Sequence, residues 1–285
     1  MAANRQKQNT IAASFSYKGI GLHSGKPVLI AFKPLPPGRG IEFVRVDLPG
    51  RPVIPGKAEY VASTLRATTL SCRGADVFTV EHILAALFIA EIDNCQVELD
   101  GPEPPAADGS AAPFVWLIEE AGRAQQAAER TIARIDRPLA VYDGGRYLLA
   151  TPYEGQRFSF LSLSDHPLLG AQYFDAQAGR TDFAGEIAPA RTIAFTHEIE
   201  GLKEMGLGLG GSQDNVIVYD GEKPLTPLRF ADELVRHKLL DLMGDLFLAG
   251  RFYGHITAVK SGHALNTKLA LQIARHWRQA QDCPL

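Results

Sequence analysis

The stretch Val235-Arg236-His237-Lys238-Leu239-Leu240-Asp241-Leu242-Met243-Gly244-Asp245 carries the strongest local pattern in the chain. His237, Asp241 and Asp245 recur at i, i+4 and i+8, so a helix stacks them on one face. Leu239, Leu240, Leu242, Met243, Leu246 and Phe247 fill most of the other positions, and this helix, expected over about 230–249, reads as mostly buried. An isolated His-x-x-x-Asp is more often a solvated face. Inside an apolar helix, a histidine and two carboxylates are unfavourable unless something satisfies them. An i,i+4 His/Asp pair can place a nitrogen and an oxygen on one Zn²⁺, so a metal is the favoured reading. The stretch has an echo earlier in the chain: Val80-Glu81-His82-Ile83-Leu84 lies on a second apolar helix, expected over about 80–91 with Thr79 as its cap.

Working outward, the first 75 residues read as strand and turn, with a Pro/Gly loop at Pro34, Pro36, Pro37 and Gly38. Asp93-Asn94 ends the first apolar helix, and Cys95–Leu99 reads as a strand. Ser110 as N-cap and Pro113 in the first turn predict a helix running to about Arg130. Strands return over 132–163, with a turn at Asp143-Gly144-Gly145. A short helix near 198–205, a strand 216–219, the long helix, a strand 255–260 and a last helix 265–279 follow. Both halves thus run strands, helix, strand, helix, which predicts a structural duplication with its boundary near residue 130.

The chain has 285 residues, 46% hydrophobic and 21% charged, with a net charge of −3, so general disorder is excluded and one or two cores are expected. With 29 basic against 32 acidic residues, nothing in the charge balance favours nucleic acid as a partner. The longest strongly apolar run, Ile83–Ala90, is far short of the ~20 residues of a membrane-spanning helix. The polar start MAANRQKQNT lacks the apolar region of a signal peptide, so a cytoplasmic protein is expected. Cys72, Cys95 and Cys283 form no CxxC pair, which argues against disulfides and a cysteine-built zinc site.

Two further clusters could carry chemistry. Glu81-His82 could supply one metal ligand and a base for a water that zinc acidifies, although dipole stabilisation alone would suit Glu81 and a hydrogen-bonded boundary histidine would suit His82. Lys260-Ser261-Gly262-His263 lies between a strand and a helix, where catalytic groups often sit; an ordinary surface turn is the plainer alternative. Asp245 could orient His263 and keep it protonated, as a general acid requires. The run Gly206-Leu207-Gly208-Leu209-Gly210-Gly211 matches GxGxxG, but a helix precedes it and a strand follows, the reverse of a dinucleotide site.

Seven segments, in order, give the chain a wider likeness. They are Gly19-Ile20-Gly21-Leu22-His23-Ser24-Gly25, Thr79-Val80-Glu81-His82, Asp108-Gly109-Ser110-Ala111-Ala112-Pro113-Phe114 and Ala190-Arg191-Thr192, then Leu209-Gly210-Gly211-Ser212, Val235 to Asp241 and Lys260-Ser261-Gly262-His263-Ala264-Leu265-Asn266. Together they resemble the zinc-dependent UDP-3-O-acyl-N-acetylglucosamine deacetylases of lipid A synthesis. The resemblance implies an α+β protein of two similar domains, 1–130 and 131–285, each a sheet layered on helices, with the active site between them. It implies Zn²⁺ on His82, His237 and Asp241, Glu81 as general base, His263 as general acid, Asp245 as its orienting partner and Thr192 as an oxyanion donor. Lys238 and Lys260 would contact a UDP-linked acylated glucosamine, and an insert over about 193–218, including Ile199, Leu202 and Leu207, would line an acyl passage. A monomer is expected. Ile193-Ala194 departs from the commoner Phe-Gly, which bears on acyl-chain preference, and Pro104-Pro105-Ala106-Ala107 departs from the commoner Ile-Pro-Ile-Met. A silent sugar-nucleotide-binding relative and a zinc amidohydrolase acting on another amide are the alternatives.

Overall fold

A computed structural model describes residues 6–282, with side chains to 279; Met1–Arg5 of the polar N-terminal stretch and Cys283 lie outside the described residues. The architecture is α+β. Alternating apolar residues make half-buried strands: Val28, Ile30 and Phe32 turn inward along Pro27–Pro34, and Phe252, Gly254, Ile256 and Ala258 do so along Phe252–Val259. The first sheet orders its strands Phe15–Ile20, Pro27–Pro34, Cys95–Leu99, Ile41–Arg45, Val53–Pro55. The second orders Leu139–Asp143, Arg146–Thr151, Phe252–Val259, Gln156–Leu163, Ala171–Gln177, with Ala133–Arg134 pairing beside Phe252–Val259.

The two topologies are the same. In each sheet the last strand in sequence enters the centre, antiparallel to the second strand and parallel to the third. In each half a helix precedes that central strand and another follows it. These are α1 (Glu81–Ile89) and α2 (Ala112–Ala121) in the first half; in the second, α3 (Thr196–Glu204) lies in the insert, ahead of α4 (Glu233–Phe247) and α5 (His263–Asp282). One continuous apolar core takes in the inner faces of both sheets and the helices α1 and α4 between them. That position explains why every residue of Glu81–Phe88 is buried, and why only Arg236 and Lys238 of α4 are not. The helices come so close that a Cβ on Gly244 would lie 2.1 Å from the Glu81 carbonyl oxygen, so the crossing needs glycine there.

Two local expectations are corrected. The helix predicted to reach Arg130 stops at Ala121, because Gly122 takes φ +76° and turns the chain. Arg123–Glu129 then pairs antiparallel with Lys7–Ile11, so a partner strand overrides the helix propensity of Ala, Gln and Glu. Thr79 does not cap α1: it sits at φ +58° and its hydroxyl donates to Glu103, and Val80 precedes the helix without a side-chain cap. Elsewhere the hairpin at Gly144-Gly145 has both residues at positive φ, as a two-residue loop of this twist demands. Cys72 and Cys95 are free thiols. No helix among the described residues is long and apolar enough to cross a membrane.

Candidate active site

The crossing of α1 and α4 brings the two sequence echoes face to face. His82 comes from the first turn of α1, and His237 and Asp241 from consecutive turns of α4. Their ligand atoms all lie within 4.8 Å of one another, and all three residues are buried. The imidazoles stand edge to face, with centroids 5.2 Å apart. His82 Nε2 lies 3.5 Å and His237 Nε2 3.4 Å from the same atom, Asp241 Oδ1. That oxygen is buried without a hydrogen-bond partner, whereas Oδ2 accepts from Lys238 Nζ at 3.1 Å. His237 Nδ1 meets the Ala190 carbonyl at 3.1 Å, which makes Nδ1 the protonated nitrogen and leaves Nε2 a free lone pair toward Asp241.

The electrostatics suit a cation. Burial outweighs the Asp241 carboxylate and, with Lys238 and His82 nearby, brings His237 down to about 4, so its imidazole is neutral at ordinary pH. Burial works against ionising Asp241, but its neighbours His237, Lys238 and His82 outweigh it and hold the carboxyl well below its usual range. On His82 burial is outweighed by Asp241, which draws positive charge toward the pair. Two imidazole nitrogens and one carboxylate oxygen, itself buried without a hydrogen-bond partner, fit a divalent ion such as Zn²⁺.

A second pair of groups adjoins the first. Glu81 is 3% exposed, and its Oε2 accepts from the Thr68 N–H at 3.0 Å. Its Oε1 faces His263 Nε2 at 4.0 Å. Burial raises the Glu81 carboxyl above its usual range. His263 Nδ1 bonds Asp245 Oδ2 at 2.9 Å, and the same oxygen accepts from Asn266 Nδ2 at 2.9 Å. Asp245 Oδ1 accepts from the Thr68 hydroxyl at 2.6 Å. Burial opposes the His263 charge, but Asp245 and Glu81 overcome it and push the imidazole up to about 10. A buried carboxyl of raised pKa and a part-buried, protonated imidazole thus stand on either side of one space beside the candidate metal-ligand set.

Comparison with known proteins places the chain in a family. Residues 8–275 match the family described as LpxC: UDP-3-O-acyl N-acetylglycosamine deacetylase. The chain belongs to that family. A Myxococcus xanthus (strain DK1622) protein named UDP-3-O-acyl-N-acetylglucosamine deacetylase is 49% identical over 277 residues, covering 96% of this chain and 88% of its own. A protein of the same name from Anaeromyxobacter sp. (strain Fw109-5) is 46% identical over 269 residues, covering 93% and 88%. Another, from Acidithiobacillus ferrooxidans, is 44% identical over 268 residues, covering 92% and 88%.

In this LpxC-family chain the metal-ligand set and the Glu81/His263 pair open onto one cavity of about 430 Å³. Thr192 and Lys238 line it, as do Ile199, Leu202 and Leu207 of the insert. Asp245 stands behind His263, fully buried and outside the lining. Lys260 is exposed, at φ +52°, and does not line the cavity. Gly206–Gly211 forms its rim: the N–H groups of Gly208, Leu209 and Gly210 bond His23 Nδ1, His23 O and Leu22 O.

Sequence reasoning missed three supports. Thr68 holds both Glu81 and Asp245, yet lies outside every motif. Asn266, which donates to Asp245 Oδ2, shows no spacing of its own within Lys260–Asn266. Glu233 accepts from the Arg191 N–H and guanidinium and from the Arg229 N–H, fixing the segment that carries Ala190 and Thr192. An acidic first turn on α4 was the only signal for it.

Proposed function

We propose that this chain is a zinc-dependent hydrolase that removes acetate from the 2-acetamido group of UDP-3-O-(3-hydroxyacyl)-N-acetylglucosamine, in lipid A biosynthesis. The observation that carries the reading is Asp241 Oδ1: a buried, unpartnered carboxylate oxygen flanked by two histidine Nε2 atoms, in a cavity shared with Glu81 and His263. His82, His237 and Asp241 would hold Zn²⁺, which when bound polarises an amide carbonyl and acidifies water.

The chain's own groups then divide the proton work. Glu81 Oε2 is held by the Thr68 N–H, so Oε1 is the oxygen that takes the proton of the attacking water. His263 Nε2–H donates to the departing amine, while Asp245 fixes Nδ1 and sustains the positive charge. The Thr192 hydroxyl, on the cavity wall, donates to the developing oxyanion. The Lys238 ammonium, at the wall beside Asp241, meets the anionic substrate, and Lys260, exposed outside, meets its protruding nucleotide. Ile199, Leu202 and Leu207 cover the acyl chain. In this reading 1–130 and 131–285 are the two domains, 193–218 is the acyl insert, and the protein is a cytoplasmic monomer.

The test is acetate release from UDP-3-O-acyl-GlcNAc by the purified chain, beside Glu81→Gln. Release by wild type, reduced ~10²–10⁴-fold in the variant, supports the reading. No release under conditions where the protein is folded and metal-loaded would overturn it.

A further inference from the structure

Glu103 lies outside the catalytic groups, yet its surroundings are those of a built anchor. It is 1% exposed. Its Oε1 accepts from the His23 N–H at 2.9 Å and the Thr79 hydroxyl at 3.0 Å, and its Oε2 from the Ser24 N–H at 2.8 Å. Charge-assisted bonds of this kind are stronger than neutral ones, and a carboxylate serves both adjacent N–H groups where an amide could not. The cradle is shaped for it: a Cβ on Gly21 would lie 2.3 Å from Glu103 Oε2 and 2.4 Å from Ser24 Oγ.

The turn so held is the surface on which the insert closes. The Leu209 N–H donates to His23 O at 3.2 Å, the Gly210 N–H to Leu22 O at 3.0 Å and the Gly208 N–H to His23 Nδ1 at 3.3 Å. Leu22, His23, Leu207, Gly208 and Gly211 all line the cavity. Beyond these bonds, α3 has no fully buried residue of its own. The rim of the apolar part of the cavity is therefore positioned by backbone bonds to a turn that a buried carboxylate fixes from behind.

We propose that Glu103 is a positioning residue for acyl-chain specificity: by fixing the turn 22–25 it latches the 208–210 rim, and through the rim it sets how well a long acyl chain is held. This rests on the deacetylase reading above. Glu103 touches no reacting group, and its mark is a difference between substrates.

The experiment compares UDP-GlcNAc bearing a long 3-O-acyl chain with the same compound bearing 3-O-acetyl, on wild type, Glu103→Gln, Gly21→Ala and Thr79→Val, with thermal melting of each. In Glu103→Gln an amide donor opposes a backbone N–H; in Gly21→Ala the new methyl displaces the same carboxylate. Both should raise KM for the long-chain substrate about tenfold, the scale of one or two lost methylene contacts. The KM for the 3-O-acetyl substrate should stay within about twofold. Thr79→Val removes only the bond to the start of α1, so it should leave the ratio of the two KM values at the wild-type figure. Equal effects on both substrates, or an unchanged ratio in Glu103→Gln and Gly21→Ala, overturns the proposal. So does failure of both variants to fold, since the carboxylate would then support the domain and not the rim. A wild type that releases acetate from neither substrate overturns the deacetylase reading itself.

Discussion

At the scale of single residues, the site rests on keeping one proton on and one proton off. His263 is pushed up to about 10 by Asp245 and Glu81 against the effect of burial, and Glu81 is raised by burial. With Glu81 as the base and His263 as the acid, as proposed, activity should rise as the coupled site loses its first proton and fall on the alkaline side as it loses its second. His263→Gln should lower kcat by ~10²–10⁴ and flatten the alkaline limb with metal content unchanged. A full wild-type profile in that variant would move the acid elsewhere. The same imidazole affects stability. Its folded pKa lies above the ~6.5 of an unfolded chain, so its stabilisation is complete below about 6.5 and is lost as pH rises through about 10. Melting temperatures at pH 7 and pH 10 should therefore fall further in wild type than in His263→Gln; equal falls would show that His263 does not hold its proton tightly.

At the scale of elements, the helix that gives the cavity much of its apolar wall, α3, has no fully buried residue. Ile199 is half-buried on α3 and faces the cavity, outside the main core. Ile199→Asp should raise KM for a long-acyl substrate at least tenfold, since each buried methylene contributes ~0.8 kcal/mol, and barely change it for one without the chain. Matching changes would make Ile199 a support of the fold. How much was legible differs between elements for physical reasons. The helices α1 and α4 declared themselves because polar ligands interrupt otherwise apolar runs, and their echo announced two like halves. The strand Arg123–Glu129 did not: its composition is that of a helix, and only the distant partner Lys7–Ile11 makes it a strand. Thr79 read as a cap because caps are recognised by residue type, whereas its positive φ and its bond to Glu103 depend on a loop 24 residues away. Of the site, the residues bearing lone pairs and protons were legible; Thr68 and Glu233, which hold them in place, act through backbone and long-range bonds that leave no spacing in the sequence.

At the scale of the molecule, two sheets of one topology present their helices to each other, and the metal-ligand set exists only where α1 meets α4. Neither half owns a complete set: His82 and Glu81 come from one, and His237, Asp241 and His263 from the other. Gly244, against the Glu81 carbonyl, sets the spacing. Gly244→Ala should force the helices apart and weaken metal binding at least tenfold, the effect expected when ligand geometry is disturbed; unchanged affinity in a chelator competition would mean the crossing tolerates the shift. The central claim is that this junction is a metal site on which the activity depends. The most direct measurement is metal content by mass spectrometry on purified wild type and His237→Ala, with acetate release followed as the ion is removed by chelator and restored. The account predicts one divalent ion per wild-type chain, sharply reduced occupancy in the variant, and activity that falls and returns with occupancy. Undiminished stoichiometry in His237→Ala, or full activity in the stripped wild type, would contradict it.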